Sequence, residues 1–153
     1  MSPATFREIF DAAAARSGLV KHRSIWRRDF PETTVVLQLQ RSSSSSLYYL
    51  NIKVWLSGLT GRTLTSQEMV TSSGDVFRRE PVEMNAILDL ESEVSDADRA
   101  RKIEQAFPEI LVPLIERLST GSGLLRAAGR TPPEVFLLPN IKTLLLPEAP
   151  SAV

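Results

Sequence analysis

The sequence contains no cysteine and only one histidine among its 153 residues. Without cysteine there can be no disulfide framework, no thiolate zinc site and no cysteine nucleophile. The single histidine, His22, cannot form a pair of imidazoles for a metal or a proton relay, and between Lys21 and Arg23 it is expected to be a solvated residue at a strand end. We therefore expect no catalytic residues, no metal site and no cofactor.

Long hydrophobic runs are also missing. No stretch approaches the roughly 18 apolar residues that a membrane span needs. Residues 1–15 lack the basic start and apolar run of a secretory signal. Because the absence of cysteine also suits a reducing compartment, we expect a soluble, cytoplasmic protein.

Charge of one sign is not in excess overall, since the formal net charge is zero. The charges are nevertheless unevenly distributed: residues 1–79 hold 11 Lys+Arg against 6 Asp+Glu, and residues 80–153 hold 7 against 12. This distribution predicts a dipolar surface and argues against a general nucleic-acid coat, which would need a basic excess over the whole domain.

An acidic segment follows the middle of the chain, with seven acidic and no basic residues over 80–98. Its alternating oxygen ligands suggest a calcium or magnesium site, but the central glycine and closing glutamate of a calcium loop are absent. A solvated strand end followed by a helix cap explains the same charges more simply.

The length and the 42% hydrophobic content allow a sizeable core without disulfides or metals. We expect one α+β domain over residues 1–153. Seven of the ten prolines lie from Pro108 onward, so a proline-rich tail is expected from about residue 131.

The first third of the chain predicts one helix and three strands. The alanine-rich segment Pro3–Arg16 carries an apolar stripe at helical spacing, and Ser2 before Pro3 suits a helix cap. Residues 19–30, 33–40 and 47–56 are predicted as strands. The serine run between the second and third strands is predicted to be a hairpin loop.

The remainder is less regular. Residues 57–74 predict a long irregular connection with a short strand near residues 67–71, and residues 76–79 and 84–90 are further strand candidates. Ser95 is predicted to cap a helix that breaks near Phe107, because two prolines interrupt its apolar stripe.

In the tail, we expect a short helix over residues 124–128, an extended packed segment over 141–146 and fraying of the last few residues. Together these elements predict an antiparallel meander sheet of four to five strands, with the N-terminal and Ser95 helices packed on one face.

The strand over residues 47–56 is the strongest strand signal. Its even positions are largely apolar and predict a core face. Its odd positions mix aromatic, amide and cationic groups, and neighbouring strands add similar residues. We predict a partner-binding sheet face made of Trp26, Arg28, Gln38, Gln40, Tyr49, Asn51, Lys53 and Trp55.

Three interpretations of this face stay open. It is solvated or covered by residues 57–74, it binds a protein partner, or it binds nucleic acid or a small molecule through arginines beside aromatic rings. We expect a non-enzymatic binding module that binds a protein partner through this face or through the acidic segment over residues 80–98. A nucleic-acid or nucleotide binder using the basic and aromatic groups is the alternative.

Several motifs match one pattern of helix, "gf.k....w.r" strand, "v..lQ.S" strand and "fyvNlgv" strand. They are Phe6–Phe10, Gly18-Leu19 with Lys21, Trp26-Arg27-Arg28, Leu37-Gln38-Leu39-Gln40-Arg41-Ser42 and Tyr48-Tyr49-Leu50-Asn51-Ile52.

In these motifs, over roughly residues 5–56 and more weakly through the helix starting near Ser95, the chain resembles a bacterial family of domains of unknown function, number 4304. The resemblance implies an α+β fold and no established activity. Because similar small bacterial domains act as immunity or interaction proteins, it also suggests, by analogy, a toxin-neutralising immunity-type protein. At its matched positions, Gln40, Ser42 and Asn51 would bind either backbone groups at strand ends or a ligand. The proline-rich tail departs from the family pattern.

Overall fold

The computed structural model of the protein describes residues 1–147. It contains a five-stranded antiparallel sheet in the sequential order β1-β2-β3-β4-β5, which confirms the predicted meander. The strands are β1 Val20–His22, β2 Ile25–Asp29, β3 Thr34–Arg41, β4 Tyr48–Trp55 and β5 Val76–Arg79.

The chain begins with α1, which spans Pro3–Arg16 as predicted. Ser2 caps it, because its side chain accepts a hydrogen bond from the Thr5 N–H, and proline occupies the first helical turn. The helix ends where Gly18 takes a positive φ of 81°. Its buried face places Phe6 and Phe10 against the sheet.

Residues 19–30 do not form one strand, so that prediction is wrong. They form a tight hairpin of β1 and β2, in which Lys21 pairs with Trp26 and His22 with Ile25. The turn places Arg23 at a φ of 53°, in the left-handed region. A turn of this kind normally carries glycine or asparagine, and the sequence lacks that signal here.

The two long central strands confirm the predicted alternation. Seven positions of β3 and β4 that face the helices belong to the main hydrophobic core: Val35, Leu37, Leu39, Tyr48, Leu50, Ile52 and Val54. The serine run connects the strands as a hairpin loop, closed by a hydrogen bond from the Ser42 N–H to the Leu47 carbonyl of 2.8 Å.

The helix that starts after Ser95 packs beside α1. Ser95 caps α5, Asp96–Ala106, by accepting a hydrogen bond from the Asp98 N–H. A π-helical turn, Phe107–Leu111, then leads into α6, Val112–Arg117. The predicted break near Phe107 is confirmed, and both prolines lie in the first turn of the segment that each one enters.

Two predicted short strands are helices. Residues 57–74 contain α2, Ser57–Thr60, and α3, Ser66–Thr71, instead of a strand near residues 67–71. In place of the strand predicted over residues 84–90, a 3₁₀ turn, Val82–Met84, leads directly into α4, Asn85–Leu88. The buried residues Met84, Ile87 and Leu88 are spaced by three and four, which is the period of a helix and not of a strand.

The tail contains α7, Gly121–Ala128, which is longer than the predicted helix, and α8, Pro139–Leu145. The prediction of an extended segment over residues 141–146 is therefore wrong, since Pro139 stands at the start of a helix and not inside one. The predicted fraying of the last few residues concerns positions outside the described residues. Within residues 1–147, none of the helices has the length and apolar character needed to cross a membrane.

Candidate functional site

The eight predicted site residues do not share one face of the sheet. In the register of β2 and β3, Trp26 pairs with Leu37 and Arg28 pairs with Val35. Directly paired residues point to the same side, so Trp26 and Arg28 lie on the face that the helices cover. Their assignment to the opposite face is wrong.

Trp26 is a core residue and Arg28 a partly buried neighbour of the core. The Trp26 ring lies 4.8 Å from the Phe10 ring between centroids, and the residue is 2% exposed. The Arg28 guanidinium lies 4.9 Å from the centre of the Phe30 ring. Trp26 therefore offers no free aromatic surface on which a base or a partner side chain could stack.

The other six predicted residues do share the second face of the sheet. In the β3–β4 register, Gln38 pairs with Asn51 and Gln40 pairs with Tyr49. The same register places Lys53 and Trp55 further along this face. The six predicted residues on this face are therefore Gln38, Gln40, Tyr49, Asn51, Lys53 and Trp55.

One end of the second face is covered by α3. Trp55, Ile25, Val36 and Met69 form a separate buried cluster, and Trp55 is only 1% exposed. Of the alternatives for this face, cover by residues 57–74 is the one found at the Trp55 end. Trp55 is therefore not available to a partner in the described conformation.

Strand side chains hold α3 in place. At its N-terminus, the Thr65 side chain accepts a hydrogen bond from the Glu68 N–H. At its C-terminal end, the Lys53 Nζ donates to the carbonyls of Met69 at 3.1 Å and Val70 at 3.0 Å. These are carbonyls that a helix end leaves without partners, so Lys53 acts as a cap supplied by the sheet.

Beyond the end of α3, the same face opens into a cavity of about 390 Å³, which we call the polar cleft. Four of the predicted site residues line it, and so do the last residue of α3, Thr71, and the two residues that follow it, Ser72 and Ser73. The four are Gln38, Gln40, Asn51 and Lys53.

Lys53 carries a positive charge into the cleft without a negative partner. The residue is 3% exposed, and no carboxylate in residues 1–147 lies within ion-pair distance of its Nζ. Burial lowers the pKa of the Lys53 ammonium, because the charged form is less well solvated there. Two of its three N–H bonds are used by α3, so one remains for a ligand.

Asn51 leaves a second polar group unsatisfied. Its Nδ2 donates to the Gln40 Oε1 at 3.0 Å, but its buried Oδ1 has no hydrogen-bond partner within the described part of the chain. Asn51 is 6% exposed, so this acceptor is also shielded from bulk water. An unpaired buried acceptor is costly, and a donor on a bound ligand would remove that cost.

A family model described as "Domain of unknown function (DUF4304)" matches residues 10–117. The chain belongs to this family. The match extends through α6, well beyond the resemblance read from residues 5–56, and includes every residue of the polar cleft. No curated protein and no solved structure matches the chain.

Phe77, which lines the cleft of this DUF4304 domain, and Arg79, which pairs with the lining residue Asn51, are not among the predicted site residues; we call these two residues the rim. The Arg79 guanidinium lies 4.1 Å from the centre of the half-buried Tyr49 ring, a cation–π contact. Phe77 is 39% exposed and pairs with Lys53 across β4 and β5. Alternation along β5 places Phe77 and Arg79 on one face, but only the pairing with β4 shows which face that is.

The cleft of the DUF4304 domain is lined by amide, hydroxyl and ammonium side chains, and the single histidine is not among them. His22 is exposed on β1, where its Nε2 lies 2.6 Å from the Ser66 Oγ, and it does not line the cleft. Across the described ranges, no group of three or more His, Asp or Glu side chains could hold a metal ion. The arrangement can donate from Lys53 and accept at Asn51, which suits recognition of a carboxylate next to an N–H group.

Proposed function

We propose that this DUF4304 protein is a non-enzymatic binding module that captures an acidic segment of a partner protein in the polar cleft. The observation that carries the proposal is the pair of unsatisfied groups there. Lys53 offers an N–H and an uncompensated charge, and Asn51 offers an unpaired acceptor. A peptide with an Asp or Glu side chain supplies both complements, the carboxylate and a backbone N–H.

The rim supports a protein partner over a free amino acid. Phe77 is an exposed apolar contact, and Arg79, which stacks on Tyr49 and pairs with Asn51, adds a second positive charge on this face. Exposed aromatic and arginine side chains are enriched in protein interfaces. Neutralisation of an acidic toxin is one form that such capture takes. We also propose that the protein acts in the cytoplasm of a bacterial cell, because a chain without cysteine suits reducing conditions.

Binding of single-stranded nucleic acid is less well supported. That mode needs exposed aromatic rings on which bases stack. Trp26 and Trp55 are 2% and 1% exposed, and they lie on opposite faces of the sheet. Titration with single-stranded DNA at several salt concentrations separates the two functions, because phosphate-driven binding weakens steeply with salt.

The proposal is tested by affinity capture from the native host with two variants. Asn51→Asp adds a negative charge beside Gln40 inside the cleft, and Gln40→Glu adds one at an exposed position on its edge. Both are expected to repel an acidic segment and to reduce capture of the same partner. Asn140→Asp makes the matched change at an exposed position in α8.

The proposal is supported if wild type and Asn140→Asp capture equal amounts of a partner and both cleft variants capture a smaller amount of it. Equal capture by all four folded proteins contradicts it. Melting temperatures of the four proteins establish that the cleft variants are folded. Gln40→Glu keeps the test decisive if the buried substitution at Asn51 unfolds the protein.

A further inference from the structure

A second cluster of charges lies where the tail meets α6, at a cavity that shares no lining residue with the polar cleft. Glu134 accepts hydrogen bonds from the Arg117 Nε at 3.0 Å and the Arg117 Nη2 at 2.7 Å, a bidentate pair. Arg130 Nη1 lies 3.2 Å from the same carboxylate, and Arg78 Nη1 donates to the Glu134 backbone carbonyl at 3.0 Å. Hydrogen bonds from Arg117 are the largest cause that lowers the pKa of Glu134.

One arginine is enough to neutralise Glu134, but more are present. A cavity of about 430 Å³ beside α7 is lined by Arg117, Arg126, Arg130 and Glu134. Three positive charges and one negative charge leave a net charge of +2 there. The exposed Arg126 makes no side-chain hydrogen bond or ion pair with any residue in 1–147. Since the whole chain has no net charge, the excess is local.

The neighbouring cavity shows that this excess is confined to one side of Arg117. That cavity, of about 420 Å³, also contains Arg117 and Glu134 but adds Arg78, Glu83 and Glu109. Two positive and three negative charges give it a net charge of −1. An anion is therefore favoured on the α7 side and disfavoured on the other side.

Small residues make room for a ligand on the α7 side. Gly123 and Gly129 line the cavity together with Ala127. A Cβ on Gly123 would meet the Arg117 carbonyl oxygen at 2.0 Å, so the close approach of α7 to α6 requires glycine. This approach places the arginines of both helices around one space.

We propose that this cavity binds the phosphate group of a small phosphate monoester or inorganic phosphate. A phosphate dianion matches the net charge of +2. The planar guanidinium groups present parallel N–H donors that fit phosphate oxygens, which is the reason arginine is favoured at such sites. Arg117 stays paired with Glu134, and the free donors of Arg126 and Arg130 bind the ligand. This site is independent of the polar cleft.

Calorimetric titration with inorganic phosphate at constant ionic strength tests the proposal. We expect saturable binding by wild type, with affinity about tenfold weaker in Arg126→Gln and in Arg130→Gln, since each removes a charged donor. Arg101→Gln is the matched control, because Arg101 is an exposed arginine on α5. A second titration with glycerol phosphate distinguishes a monoester ligand, which binds more tightly than inorganic phosphate, from a free-phosphate site, which does not prefer the ester.

Two results would overturn the proposal. One is the absence of saturable phosphate binding by wild type. The other is equal affinity in wild type, Arg126→Gln and Arg130→Gln, which would mean that phosphate binds elsewhere. Both altered side chains are exposed, so each variant is expected to fold, and its melting temperature establishes that it does.

Discussion

The two faces of the sheet are closed by different means. On the first face, α1 and the α5–α6 helix bury a continuous core with aromatic contacts, such as Phe10 with Phe107 at 5.0 Å between ring centroids. On the second face, the six-residue helix α3 buries only a four-residue cluster at one end and leaves the polar cleft at the other. A full apolar cover gives stability, whereas the partial cover leaves a polar group, the Asn51 Oδ1, without a hydrogen-bond partner among the described residues.

The cover of the second face depends on the sheet that it covers. A helix of six residues is not stable alone in water. Packing of Met69 and the hydrogen bonds from Lys53 and Gln38 to the end of α3 hold it in place. The side chains that shape the polar cleft thus also secure its cover, and this coupling is absent from the first face.

The largest expected effect comes from the first face. Phe10→Ala should lower the free energy of unfolding by about 3–5 kcal/mol, because it removes a fully buried ring from a closed core that cannot collapse around the cavity. Urea denaturation measures this change. Phe136→Ala, at a position that is 81% exposed, should change stability by less than about 0.5 kcal/mol. A similar loss in both variants would contradict the assignment of the main core.

A smaller effect is expected under α3. Met69→Ala should cost about 2 kcal/mol, at the low end for a buried methionine, since a short helix can settle into the space. Leu144→Ala in α8, at a position that is 52% exposed, is the control. If Met69→Ala destabilises as much as Phe10→Ala, the second face is closed as firmly as the first, and the contrast between them is wrong.

The smallest stability effect is expected at Lys53. Lys53→Met keeps the length of the side chain but removes two hydrogen bonds to α3, which should cost about 1 kcal/mol near neutral pH. The burial that lowers the pKa of Lys53 disfavours its charged form in the folded state.

The pH dependence of this effect has a defined sign. Between the lowered folded pKa and the unfolded value of about 10.4, the unfolded chain binds more protons, so Lys53 contributes stability that rises with pH. Urea denaturation from pH 7 to 10 should show the deficit of Lys53→Met growing with pH. Lys102→Met, at an exposed position in α5, controls for the loss of one charge. A deficit that shrinks with pH would contradict the burial of Lys53.

The sequence predicts the elements that local patterns determine. The alternation over residues 47–56 indicated β4 and its core side, and Ser2 and Ser95 marked the starts of α1 and α5. It also grouped Gln38, Gln40, Asn51 and Lys53 correctly on one face, because two strands joined by a short hairpin keep a definite register.

The errors lie where local patterns do not decide. The positive φ of Arg23 turns one predicted strand into a hairpin, and the face of Trp26 and Arg28 depends on the resulting register. The helix α3 has few apolar residues, so its position depends on contacts with the sheet. The ion pair of Arg117 and Glu134 joins α6 to the tail, and no sequence spacing indicates such a contact.

We propose that the half-covered second face binds an acidic partner at the polar cleft. The most direct test is the dissociation constant of the purified captured partner for wild type, Asn51→Asp and Asn140→Asp, measured by calorimetry. We expect affinity at least about tenfold weaker for Asn51→Asp, because its added charge opposes the partner's carboxylate beside Lys53. Equal dissociation constants for all three proteins would contradict it.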